Sequence, residues 1–191
     1  MNEITVRPIG HVRSDRSAAE DDDWDSVVTS IELDTGVVEP TATLGLETFS
    51  HIEVVYVFHL VDEANACRGA RHPRGREDWP LTGILAQRAK DRPNRIGVTT
   101  CRLDAVDGLT LQVTGLDAID GTPVLDIKPA MSGFAPRGEM REPEWAQALM
   151  VETRRNFSPS ADMSPRCGCC HRSSASAPTT CCASSGEPGA G

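Results

Sequence analysis

Apolar and polar residues alternate most clearly over residues 51–60, HIEVVYVFHL, which predicts the strongest strand of the chain. Residues 27–33 alternate in the same way, and residues 96–105 form a second strong run. Asp107-Gly108 then supplies a two-residue turn into residues 109–115, the pattern of a β-hairpin. Residues 4–12 read as a first strand, with Pro8 placing it at an edge or a bend. Residues 83–87 read as a short strand, and residues 124–127 as another that follows the Asp120-Gly121 turn and stops at Pro129. Many short strands with turns at close spacing predict a mainly β fold, a barrel or a sandwich. No Gly-rich loop of the dinucleotide-binding type follows a strand, which speaks against a doubly wound sheet.

Three segments break this pattern. Residues 14–26 form an acidic loop with one isolated aromatic, Trp24. Residues 62–82 are polar and interrupted by Gly and Pro, and loops of that length are usually functional or disordered. Glu142-Pro143-Glu144 opens a helix, with proline in the first turn and acids at its positive end. Trp145, Leu149 and Thr153 then recur every four residues, so Trp145 is expected in the core. From Ser158 onward the chain is Ser, Ala, Pro, Gly, Thr and Cys, with almost nothing large and apolar to bury. We therefore expect one domain over residues 1–157 and a low-complexity, disordered tail over residues 158–191.

Charge refines the picture. The net charge of −9 argues against loose nucleic-acid binding over the whole surface. Residues 68–102, however, hold nine Lys/Arg against three Asp/Glu, which leaves the remainder at −15. A local basic patch on an acidic body can still grip a phosphate backbone. No apolar run approaches the roughly 20 residues needed to cross a bilayer, and the N-terminus lacks the order of a signal peptide. A soluble cytoplasmic protein with no membrane partner is expected. Five of the seven cysteines lie in the tail, in Cys167-Gly-Cys169-Cys170-His171 and Cys181-Cys182. Their spacing departs from the pair-of-pairs zinc pattern, so no metal is expected.

The candidate chemistry concentrates between Arg71 and Pro129. RHPRG at 71–75 and AQRAKDRPNRIGV at 86–98 are cationic, and GLDAIDGTPVLDIKP at 115–129 sets paired acids in a Gly/Pro frame. A cationic loop beside a carboxylate-rich turn suits a site for an anionic partner and a cationic ligand. Asp117, Asp120 and Asp126 could accept from ligand hydroxyls or amines, or could cap turns, as Asp before Gly commonly does. Arg88 and Arg92 can present bidentate donors, or Arg92 can form a structural ion pair. Asn94 could read an adenine edge or satisfy a turn. Trp24 could stack on a base or pack half-buried.

PIGHVRS at 8–14, FSHIEVVYVFHL at 49–60, RPNRIG at 92–97 and LDAIDGTPVLDIKP at 116–129 together resemble the TrmO (YaeB/TsaA-like) family of S-adenosylmethionine-dependent tRNA methyltransferases. The likeness covers roughly residues 4–157. It implies a closed or nearly closed β-barrel with a C-terminal helix, S-adenosylmethionine as cofactor, tRNA as partner and a homodimer. Its acceptor would be the exocyclic nitrogen of threonylcarbamoyl-adenosine beside the anticodon. Carried over by position, the cofactor falls to Trp24, His59, Leu60, Arg88, Val98, Asp117, Ile119, Asp120 and Gly121. The acceptor falls to Arg71, His72, Arg74, Arg92, Asn94, Arg95 and Lys128, with no catalytic group assigned. Arg88 matches the arginine of the family's FATR segment, and Arg92-Pro93-Asn94 matches its RPN. This chain departs from that pattern at Gln87, Asp91, Arg95 and Ala130, on the acceptor side. The departures point to alternatives: methylation of a small molecule or another RNA, or a cofactor- or RNA-binding module without catalysis.

Overall fold

The computed structural model describes residues 3–18 and 24–155. Eight strands and one α-helix are present: β1 Gly10–Arg13, β2 Val28–Leu33, β3 His51–Val57, β4 Ala70–Arg71, β5 Thr82–Gly83, β6 Ile96–Asp107, β7 Thr110–Thr114, β8 Pro123–Pro129 and α1 Glu144–Arg155. Six of the strands close a barrel in the order β1-β2-β7-β6-β3-β8. Closure comes from Gly10 and His11 of β1 opposite Val124 and Pro123 of β8. The expected mainly β barrel with a C-terminal helix is therefore the fold. The tail expected to be disordered lies outside the described residues.

The interior follows from the two-residue period of strands. Ile52, Val54 and Tyr56 of β3 point inward, together with Val12, Ile31, Cys101, Leu103, Leu111, Val113 and Val124. Tyr56, the only tyrosine of the chain, is 1% exposed and lies opposite Gly97 in the β3–β6 register. A Cβ at Gly97 would stand 2.5 Å from the Tyr56 ring, so the glycine makes room for the aromatic. Burial drives the Cys101 thiol up to about 12, which leaves it an inert core residue.

Several boundaries differ from the expected ones. The first strand begins at Gly10 rather than at residue 4, because Pro8 has no N–H to give to a ladder. β3 stops at Val57, so His59 lies in a turn beyond the strand. The hairpin loop is Gly108-Leu109, one residue later than expected. The expected strand at 83–87 is a two-residue β5 followed by a 3₁₀ turn over Ile84–Ala86. Buried Gln87 causes that turn by donating its amide to the carbonyls of Arg71 (3.0 Å) and Thr82 (2.8 Å). The polar segment at 62–82 is ordered by the β4–β5 pair and two 3₁₀ turns. Trp145 is half-buried outside the barrel core, where it meets Trp79 with ring centroids 6.4 Å apart. No helix among the described residues is long and apolar enough to cross a membrane.

Candidate active site

A cleft of about 1030 Å³ opens beside the barrel, and its lining falls into two halves. The barrel half is made by the ends of β3 and β6 and by the connection between β7 and β8. Leu116 and Ala118 are buried, and Asp117 between them is turned outward into the cleft. A three-residue turn closed by the Ala118 N–H on the Leu116 carbonyl at 2.9 Å thus sets a carboxylate at the edge of the core. Tyr56, His59, Leu60, Val98, Thr99, Ile119 and Thr122 complete this half. The Tyr56 hydroxyl pairs with that of Thr99 at 3.1 Å. Burial first, and then the Asp117 carboxylate, push the Tyr56 phenol well above its ordinary value, so it remains a neutral hydrogen-bonding group.

His59 is held below its ordinary value of 6.5, first by burial and then by nearby His11, with Asp120 opposing the shift. Asp120 accepts from the backbone N–H of Ser14 at 3.2 Å and its own N–H donates to the carbonyl of Arg16 at 2.8 Å. It therefore ties the loop after β1 to the turn before β8. Gly121 adopts a left-handed φ of 74° in that turn and lies behind His59. Neither Asp120 nor Gly121 lines the cleft, whereas Trp24, His59, Leu60, Arg88, Val98, Asp117 and Ile119 all do. Trp24 is 8% exposed, and the Arg16 guanidinium covers one of its faces at 4.0 Å.

The loop half is built from residues 71–94 and α1. Here the arginines turn largely toward the protein itself. Arg71 makes a two-pronged ion pair with Asp91, with one arm at 2.6 Å. Arg88 donates to the carbonyl of Val98. Arg92 donates to the carbonyls of Gln87 and Ile84, so the structural pair weighed for it is a bond to backbone rather than to an acid. Arg95, a non-glycine residue at φ 53°, donates to the carbonyl of Val61 at 2.8 Å and stands 3.8 Å from Glu63.

The seven residues carried over to the acceptor separate in space. Arg71, Arg74, Arg92 and Asn94 line the cleft, and His72, Arg95 and Lys128 do not. His72 Nδ1 is spent on the carbonyl of Trp79 at 2.7 Å, and Lys128 pairs with Asp126 at 2.5 Å on β8. Sequence reasoning missed Tyr56, Gln87 and the α1 face. Only Tyr56 had a usable signal, its place in the inward series 52, 54, 56.

A family model, the tRNA-methyltransferase O N-terminal domain, matches residues 20–134. The tRNA (adenine(37)-N6)-methyltransferase of Mus musculus is 41% identical over 91 residues, which is 48% of this chain and 21% of that protein. A probable S-adenosyl-L-methionine-binding protein of Methanothermobacter thermautotrophicus is 40% identical over 130 residues, 66% of this chain and 90% of that one. Among solved structures, TrmO from Pseudomonas aeruginosa superposes with a TM-score of 0.59 at 30% identity, covering 73% of this chain and 61% of that one. The chain thus spans about a fifth of its mouse relative and nearly all of its archaeal one. With more than half its length inside the family model and the same barrel as TrmO, the chain belongs to the tRNA-methyltransferase O N-terminal domain family.

Proposed function

We propose that this chain is an S-adenosylmethionine-dependent methyltransferase acting on tRNA adenosine, at the exocyclic nitrogen of threonylcarbamoyl-adenosine beside the anticodon. The observation that carries the reading is Asp117, held between two buried neighbours beside an apolar wall of Leu60, Val98 and Ile119. A carboxylate next to apolar surface fits a nucleoside-like donor with hydroxyls, an amine and a positive sulfur. The bound donor supplies an electrophilic methyl group for in-line displacement. Asp117 accepts from the donor's hydroxyls or amine, and the apolar wall excludes water from the reacting centre. Arg92 holds the 84–87 turn by its carbonyls and so positions Arg88 and Asn94. Asn94, exposed on the cleft rim, is the amide suited to an adenine edge.

We place the activity in residues 1–157, regard residues 158–191 as dispensable, and propose a cytoplasmic homodimer. Leu81 and Leu85, 64% and 76% exposed on the basic loop, are apolar side chains that a second copy could cover. Sedimentation analysis tests the pairing. A second reading, methylation of a small molecule or another RNA, is favoured by the arginines committed to the protein's own groups and by the altered 87–95 segment. Labelled methyl donor incubated with the protein and with total tRNA tests the first reading. Label in a modified adenosine is expected. Transfer confined to other molecules favours the second reading, and donor binding without transfer makes the chain a binding module.

A further inference from the structure

The helix α1 begins ten residues beyond the segment that the family model matches. Its side chains at 145, 149, 150 and 153 nevertheless line the cleft. That spacing places them on one helical face. A helix of 12 residues is marginal alone in water. Here it is fastened by three contacts, all to residues 74–79. Trp145 meets Trp79, Arg76 donates to both carboxylate oxygens of Glu152 at 2.7 and 2.8 Å, and Arg74 donates to the Thr153 hydroxyl at 3.1 Å. The helix and the basic loop therefore hold each other, and together they line the cleft that Asp117 also lines.

We propose that α1 is the acceptor-side wall of the cleft, and that Leu149 sets how large a substituent on the acceptor's amine the site admits. The inference rests on the methyltransferase reading given above and names a specificity-determining residue for it. Leu149 and Met150 add apolar side chains to a cleft that Arg71 and Arg92 also line, and those guanidinium groups are already bonded to Asp91 and to backbone carbonyls. Such a wall selects by shape and desolvation rather than by gripping phosphate. The ligand class that fits is a purine carrying a substituent on its exocyclic nitrogen. An added or missing methylene against an apolar wall discriminates about tenfold or somewhat more.

The test uses the full chain loaded with methyl donor and the pair Leu149→Ala and Leu149→Phe. Adenosine and an adenosine acylated on its exocyclic nitrogen serve as probes, with affinities measured by calorimetry. Leu149→Ala should raise the preference for the bulky probe about tenfold, and Leu149→Phe should lower it by a similar factor. Donor affinity should stay within about twofold in both, as the assignment of Leu149 to the acceptor side requires. Opposite shifts from one position cannot arise from misfolding. If the preference is unchanged while donor binding is intact, the wall assignment is wrong and the methyltransferase reading survives. Failure of the donor-loaded wild-type chain to bind either nucleoside also overturns the assignment. A wild-type chain that binds no donor sinks both. A donor affinity that moves while the preference does not would transfer α1 to the donor half and overturn the inference.

Discussion

The two halves of the cleft are built by different physics. In the barrel half, Val98 is placed by backbone pairing on β6, and Asp117 and Ile119 line the cleft next to buried neighbours. In the loop half there is little core, and long side chains make the structure themselves. Arg71 and Arg76 are paired with Asp91 and Glu152. Arg88, Arg92 and Arg95 reach carbonyls of Val98, Gln87 and Val61. An arginine bonded to a carbonyl keeps its charge, but its fork is committed. A surplus of basic residues in sequence thus measures a loop's charge without measuring what that loop can grip.

The sharpest way to break the barrel half is to remove its central aromatic. Tyr56→Ala should cost about 3–5 kcal/mol, the usual range for deleting a buried aromatic. Gly97→Ala pushes a methyl into the same ring and should cost about 1–3 kcal/mol, since overpacking in a closed barrel has little room to relax. Urea unfolding of both proteins checks the order, and equal, negligible losses would mean the barrel yields more easily than its register suggests. Asp117→Asn should act quite differently. It removes the charge but not the shape, so donor affinity should fall about tenfold or more while the melting temperature holds. Loss of stability with unchanged donor binding would make Asp117 a structural residue.

The same division explains what could be seen in the sequence. Strand alternation is a short-range signal, and it located β3, β6 and β7 and the mainly β class, while the choice of a barrel over a sandwich came from the family resemblance. The outward place of Asp117 is equally local, since its neighbours Leu116 and Ala118 are apolar. Boundaries moved where a single residue overrode the pattern, as Pro8 did for β1 and Gln87 did for the turn after β5. The loop half resisted reading because its order depends on contacts distant in sequence. Nothing local to Arg92 announces that the Gln87 and Ile84 carbonyls will meet its guanidinium. Residue 149 likewise shows a helical period without showing that its face meets a cleft.

In the loop half, Arg92→Ala should take from the Gln87 carbonyl its arginine donor, while the Ile84 carbonyl keeps the backbone N–H of Gln87 at 3.2 Å. An unsatisfied polar group of this kind costs about 1–3 kcal/mol when buried, and less here because Arg92 is only half-buried. The variant should lose a modest amount of stability, become cleavable within residues 71–95 under limited proteolysis, and lose acceptor use. Unaltered proteolysis with lost acceptor use would show that Arg92 touches the acceptor directly. Arg92→Lys should restore part of the loss, because both carbonyls are met by the one Nη1 nitrogen and an ammonium also carries several donors.

The smallest effect expected is a pH dependence at His59, where the two ways of building the cleft meet. Burial and His11 hold its folded-state value below 6.5, against the pull of Asp120. Above about pH 6.5 the ring is neutral in both folded and unfolded chains, and it contributes nothing to the slope. As pH falls below 6.5 the unfolded chain takes up a proton first. Stability must then decline until the folded ring is protonated too. Because His59 is only half-buried, solvent screening should keep the loss under about 0.5 kcal/mol. The relevant measurement is the difference in melting temperature between the parent and His59→Gln from pH 7.5 to 5. The gap should narrow in favour of the glutamine variant as acid is added, since glutamine binds no proton in either state. A gap that stays constant would mean the ring is as easily protonated in the folded chain as in water, and that its surroundings in the cleft are wetter than its partial burial implies.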